Sequence, residues 1–167
     1  MESAVARSGL AQAARRAVDA AQERPTDALA AALDVLDRAE DDLEAQAYAS
    51  WAAGFAHREL NHLPDADAFL ARAVHLALLL GRRDIAVGAR TTRALALANL
   101  GRADDGLAEL DSALPDAQGA ELGRVQMQRA LILQRQGRLV EALAGFDAPL
   151  PELIAADDRL AEIRLRV

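Results

Sequence analysis

The sequence predicts an all-α solenoid of about four helical hairpins followed by a final unpaired helix. Alanine makes up about a quarter of the 167 residues and aromatic residues only 3%. The dominant residues Ala, Leu, Arg, Glu and Gln are strong helix formers. Apolar residues also recur three and four positions apart, which is the helical period. Turn signals at Glu23, Asn61, Gly101 and Gly137 are 38, 40 and 36 residues apart, a period typical of stacked helical repeats.

The spacing of turn and apolar residues predicts nine helices. Thr26, Asp84 and Asp104 are expected to cap helix starts, and Pro64 and Pro151 suit a first helical turn. Because the connections are short, neighbouring helices should be antiparallel. We expect one repeat domain over 1–167, with repeats at about 3–39, 42–80, 84–114 and 118–148 and a partial repeat at 152–166. The predicted helices are 3–22, 26–39, 42–60, 64–80, 84–100, 104–114, 118–136, 139–148 and 152–166.

Small residues recur at fixed distances from the last three turns. One set stands seven residues before the turn and another five after it, which would let the two helices of each hairpin approach closely. Large residues one turn further on, Leu70, Leu110 and Phe146, would fill the remaining space. The small residues are Gly54, Ala94 and Ala130 before the turn, and Ala66, Gly106 and Ala142 after it.

This order of small residue, turn, small residue, large apolar residue and alanine resembles the tetratricopeptide repeat. The fourth copy departs from the pattern with Pro149 in the alanine position, and the first departs at Arg16 and Val35. The resemblance implies a right-handed α-solenoid whose first helices line a concave groove for a peptide. The best copies read Gly54, Asn61, Ala66, Leu70, Ala73 and Ala94, Gly101, Gly106, Leu110, Ala113.

Two segments, 131–143 and 155–164, more narrowly resemble repeats that precede CHAT domains in large actinobacterial proteins. CHAT domains are caspase-like peptidase modules with a Cys-His dyad, and this chain has no cysteine. The resemblance therefore implies that the chain is the regulatory or recognition part of a longer protein. The final helix, with Leu153, Leu160 and Ile163 on one face, has no second helix to cover it, as expected of a fragment.

An aromatic cluster on the first helix of the second repeat gives the main functional hypothesis. Tyr48, Trp51 and Phe55 share one helical face, which the resemblance places in the concave groove. Arg90 lies near this surface, and the forked guanidinium groups there would bind the carboxylates of an acidic or carboxylate-ended peptide. The alternatives are that the rings pack between hairpins and that the arginines are solvated or pair with local acids. The candidate groove residues are Tyr48, Trp51, Phe55, Arg58, Thr91, Leu95, Asn99, Arg124, Met127 and Arg135.

Composition excludes several other functions. A net charge of −7 disfavours nucleic-acid binding, and no stretch is apolar enough to span a membrane, so we expect a cytoplasmic protein. His57 and His62 are five residues apart, about 140° around a helix, which predicts no shared metal ion. The paired acids fit helix starts and turns better than acid–base catalysis. We therefore expect no cofactor, no metal and no enzymatic activity.

Two functions remain open from the sequence. The first is a module that binds a peptide or protein segment in its groove. The alternative is a structural scaffold, which packs against a downstream CHAT-type domain or self-associates as a homodimer through 152–166. A groove role for Trp51 predicts that Trp51→Ala abolishes partner binding while stability changes little.

Overall fold

A computed structural model describes residues 2–147, with side chains from 9 to 144. The described chain is all-helical and contains no strand, which confirms the predicted class. Each predicted helix within it begins and ends within two residues of the observed bounds. The predicted helix 152–166 and Pro149 lie outside the described residues, as does the Phe146 side chain. The helices are α1 Glu2–Ala20, α2 Pro25–Arg38, α3 Leu43–Glu59, α4 Leu63–Leu79, α5 Arg83–Asn99, α6 Ala103–Ala113, α7 Gly119–Arg135 and α8 Leu139–Asp147, with a short 3₁₀ turn at Leu114–Asp116.

The helix starts differ from the predicted capping pattern. Asp42 caps α3, because its carboxylate accepts a hydrogen bond from the Ala45 backbone N–H at 3.0 Å. Thr26, Asp84 and Asp104 do not occupy the N-cap positions, since their helices begin one residue earlier than predicted. Asp84 and Asp104 instead lie in the first turn, where the helix dipole favours negative charge. The actual N-cap positions carry side chains that make no capping hydrogen bond: Arg24, Arg82 and Arg102.

The last three hairpins share one turn geometry. Asn61, Gly101 and Gly137 have φ values of +61°, +80° and +75°, a region that glycine and asparagine reach most easily. The next residue's N–H then bonds back into the preceding helix, as His62 does to the His57 carbonyl at 2.8 Å. These turns fall at the positions that the repeat period identified. Glu23, the turn position of the first copy, is not among the residues with positive φ.

Small residues bring the paired helices together as predicted. A Cβ added to Gly106 would lie 2.6 Å from the Ala94 carbonyl oxygen, so α5 and α6 touch through backbone. At Gly54, an added Cβ would lie 2.5 Å from the Leu70 side chain. Leu70 and Leu110 are fully buried. The predicted close approach of the helices is confirmed for these two hairpins.

The eight helices pack in sequence order. Each helix contacts the next one, and α3 and α5 also contact the odd-numbered helices on both sides of them. Because every short turn reverses the chain, α1, α3, α5 and α7 run in the same direction and lie side by side. One large apolar cluster spans α1 to α5, and a second joins α5 to α8. The odd-numbered helices thereby present matching faces on one side of the described chain.

Candidate functional site

An open groove of about 600 Å³ crosses α3, α5 and α7. Spacings of three and four residues along each helix direct its lining side chains to one side. Gln22 and Glu23, in the turn after α1, also line the groove. Seven of the ten candidate residues line this groove: Trp51, Phe55, Arg58, Thr91, Leu95, Arg124 and Met127.

Trp51 has two roles in the structure, because its ring both packs and lines the groove. Its indole N–H donates a hydrogen bond to the Thr92 hydroxyl at 3.0 Å, and Thr92 donates to the Gly88 carbonyl at 2.9 Å. The outer edge of the indole lies so close to α5 that a Cβ added at Gly88 would be 2.1 Å from it. Trp51 also packs against three apolar clusters. The ring therefore joins α3 to α5 while its partly exposed face forms the groove floor.

Phe55 and Arg58 lie together beside this floor. The Arg58 guanidinium stands over the Phe55 ring, 4.5 Å from its centroid, and pairs with Glu59. Half-buried Thr91 donates to the Val87 carbonyl at 2.7 Å. These contacts fix the side chains before any ligand arrives, which lowers the entropy lost on binding.

The charges along the groove are balanced. Glu23 and Glu121 line it together with Arg58 and Arg124. Burial raises the pKa of Glu121, and Asp84 raises it further, while Arg124 opposes both effects. Arg90 lies near Glu109 of α6, with 4.0 Å between the charged atoms. The groove therefore has no excess of positive charge, which the binding of an acidic peptide through arginine–carboxylate contacts would need.

Tyr48 lies outside the groove, although its ring stacks on Trp51 at 6.4 Å. Its buried hydroxyl accepts from Arg82 at 2.9 Å and lies 3.4 Å from the Asp84 carboxylate. Burial raises the Tyr48 pKa, and the Arg82 charge partly opposes this rise. Arg82 also pairs with Glu44, and its hydrogen bond to Asp84 lowers the pKa of that carboxyl. Tyr48 thus belongs to a polar cluster at a second, smaller depression of about 520 Å³.

Asn99 and Arg135 also lie outside the groove. They occupy the C-terminal ends of α5 and α7, and the Arg135 guanidinium donates to the Asn99 side-chain oxygen at 3.2 Å. The sequence placed both on the groove face from their repeat positions alone. Their hydrogen bond links the hairpin of α5 to that of α7, and neither side chain lines the groove.

Several lining residues were not singled out from the sequence. Gly88 was the one that the sequence could have indicated, since a glycine inside a helical pattern costs helix stability and often has a packing reason. Glu121 and Gln128 flank Arg124 at helical spacing and line the same groove. Thr92 gave no sequence signal, because its role depends on the indole of a residue 41 positions away.

His57 and His62 meet, contrary to the angular reasoning from the sequence. The angle of about 140° applies to a continuous helix, whereas α3 ends at Glu59 and Asn61 reverses the chain. The two Nδ1 atoms are 3.4 Å apart. Within the described residues, no group of three or more His, Asp or Glu side chains is placed to hold a metal ion.

Neither a protein-family model nor a curated protein matches this sequence. Among the described helices, none is long and apolar enough to cross a membrane. The functional interpretation therefore depends on the groove geometry and the repeat pattern.

Proposed function

We propose that the chain is a protein-interaction module that binds a peptide or protein segment in the groove across α3, α5 and α7. In this proposal the helices form a right-handed α-solenoid of the tetratricopeptide type, and the module is the recognition part of a larger cytoplasmic protein. The proposed activity is binding without catalysis. The repeated turn geometry and the sequential packing of the hairpins support this architecture.

One observation carries the proposal: three successive odd-numbered helices direct aromatic, apolar and polar side chains into one open groove. Its apolar floor is held in place by the bond from Trp51 to Thr92. Aromatic and arginine side chains are the residue types that most often dominate binding energy. Balanced charge favours a ligand whose contacting residues are mainly apolar, with few net charges.

A peptide selection tests the proposal directly. Peptides would be selected on the folded chain from a random displayed library, and their affinities measured by fluorescence polarisation. Thr91→Arg and Gln128→Arg place a bulky charge in the groove, so we expect each to weaken binding at least about tenfold, or 1.4 kcal/mol. Leu79→Arg is the matched control, because Leu79 is an exposed residue of α4. Circular dichroism would verify that all three variants fold.

Two results would contradict groove binding. One is a set of selected peptides that bind the groove variants as tightly as the parent chain. The other is a selection that yields no peptide above background.

A second candidate function is a scaffold that packs against a neighbouring module, such as a CHAT-type domain. The exposed apolar side chains Leu139, Val140 and Leu143 of α8 favour it, with exposed fractions of 58%, 84% and 66%. Such a surface is often covered by another element. The proposed homodimer contact at 152–166 lies outside the described residues. Light scattering of the isolated chain tests self-association, and a monomer at all concentrations would contradict the homodimer.

A further inference from the structure

The turn of the second hairpin brings two imidazole rings together. His57 lies in the last turn of α3 and His62 occupies the N-cap position of α4. Between them Asn61 adopts φ +61°, and the His62 N–H bonds to the His57 carbonyl at 2.8 Å. The ring centroids are 5.6 Å apart and the Nδ1 atoms 3.4 Å apart. Backbone hydrogen bonds of the turn thus fix the backbone positions from which the two rings extend.

This separation suits two ligands of one metal ion. Zinc binds imidazole nitrogen at about 2.0–2.1 Å, and tetrahedral geometry then separates two ligand nitrogens by about 3.4 Å. The Nδ1 atoms already have that spacing. Little backbone movement would therefore be needed for both to reach one ion.

The surroundings restrain one ring and place charges of both signs near the pair. His57 stacks on Phe69 with centroids 5.4 Å apart and planes 16° apart, which restrains its ring. The C-terminal end of α3 carries the negative end of a helix dipole. Asp65, three residues after His62, lies in the first turn of α4, and its charge acts on the His57 ring. The positive end of the α4 dipole opposes these contributions, and Glu59 offsets the charge of Arg58.

We propose that His57 and His62 bind one divalent transition-metal ion of the class that prefers imidazole, namely Zn²⁺, Ni²⁺ or Cu²⁺, through their Nδ1 atoms. Water molecules complete the coordination, since the described side chains offer no ready set of three ligands. Ligation needs a lone pair on each Nδ1, so the proton of each neutral ring resides on Nε2. The bound ion clamps the end of α3 to the start of α4 and stabilises that hairpin.

Calorimetric titration of the tag-free, EDTA-treated chain with Zn²⁺ tests this site. We expect one ion per chain and at least tenfold weaker binding in His57→Gln and in His62→Gln. His75→Gln is the control, because His75 is exposed on α4 and should leave affinity unchanged. Mg²⁺, which prefers oxygen ligands, should not compete.

The nitrogen NMR resonances of the histidine rings give a second readout that does not depend on variants. Zn²⁺ should shift the Nδ1 signals of His57 and His62 and leave those of His75 in place. No binding up to about 1 mM Zn²⁺, or affinity that survives both substitutions, would overturn the proposal. His62→Gln keeps the test valid even if His57→Gln disturbs the stack on Phe69, since His62 is exposed.

Discussion

The charge cluster around Tyr48 illustrates what individual residues contribute. Its phenol is buried, which disfavours tyrosinate, and the Asp84 charge acts in the same direction. The Arg82 guanidinium acts in the opposite direction through its charge and its hydrogen bond to the phenol oxygen. Burial dominates, so folding raises the Tyr48 pKa.

The chain has one tyrosine, so its absorbance titration reports Tyr48 alone. We expect the native midpoint above the usual tyrosine pKa of 10.0, and Arg82→Gln should raise it further because a favourable positive charge is lost. The neighbouring Arg83→Gln is the control, since Arg83 is exposed and pairs with Asp116 at 3.4 Å. A lower midpoint in Arg82→Gln would show that this explanation is wrong.

The same shift predicts how stability depends on pH. A pKa raised by folding contributes stability that is fully present below the unfolded value and is lost as pH rises through the native value. The Tyr48 contribution should therefore disappear in the alkaline range above pH 10. Tyr48→Phe should flatten that part of the pH–stability curve, which urea unfolding at several pH values would measure.

Among the helices, the contact between α3 and α5 depends on the Trp51 ring, which packs against Gly88. The Trp51 indole occupies the space that a side chain at position 88 would need. Replacing a large buried aromatic by alanine typically destabilises a protein by about 3–5 kcal/mol. The packing of Trp51 therefore predicts that Trp51→Ala lowers stability, contrary to the expectation from the sequence. Variants at Thr91 and Gln128 are better tests of the groove.

Gly88→Ala should disturb this contact without removing the indole. We expect the free energy of unfolding to fall by about 1–3 kcal/mol, because overpacking outweighs the gain of about 1 kcal/mol in helix propensity. Gly9→Ala is the control, since a Cβ there meets nothing within 4 Å. It should be neutral or stabilising.

Urea unfolding followed by the fluorescence of the single tryptophan measures both variants, and Gly88→Ala should also shift the native emission. Equal stability of Gly88→Ala and Gly9→Ala would contradict the close contact between the indole and α5.

The helices were predictable because their signals are local. Apolar spacing placed every described helix within two residues, and Asn61, Gly101 and Gly137 marked the left-handed turns. The caps were not predictable in the same way, because Asp84 and Asp104 lie one residue inside their helices. An acidic residue is favourable both at the N-cap and in the first turn of a helix, so residue type alone does not distinguish these positions.

At the scale of the whole molecule, stability should vary along the chain. Helix α3 packs against α1, α2, α4 and α5, whereas α8 packs against α7 and leaves three large apolar side chains exposed. In sequentially packed helices each unit is stabilised mainly by its neighbours. Inner helices should therefore open less often than the last described one.

Amide hydrogen exchange followed by mass spectrometry measures this gradient. We expect the slowest exchange in α3, α4 and α5 and the fastest in α8, with at least a tenfold difference in protection. Uniform protection from α1 to α8 would instead indicate one fully cooperative unit. Leu110→Ala, which opens a cavity at a fully buried site, should speed exchange in α6 and α7 more than in α1.

The amino-acid sequence was sufficient to predict the helical class, the helix bounds, the turn positions and the small residues that pair helices within a hairpin. These features depend on propensity, period and backbone freedom over a few residues. Which residues share the groove depends on the folded chain, because the deciding contacts join side chains 34 to 41 positions apart. Trp51 donates a hydrogen bond to Thr92, Arg82 to Tyr48, and Arg135 to Asn99. The His57–His62 contact likewise needed the observed chain reversal, since only a broken helix brings those rings together.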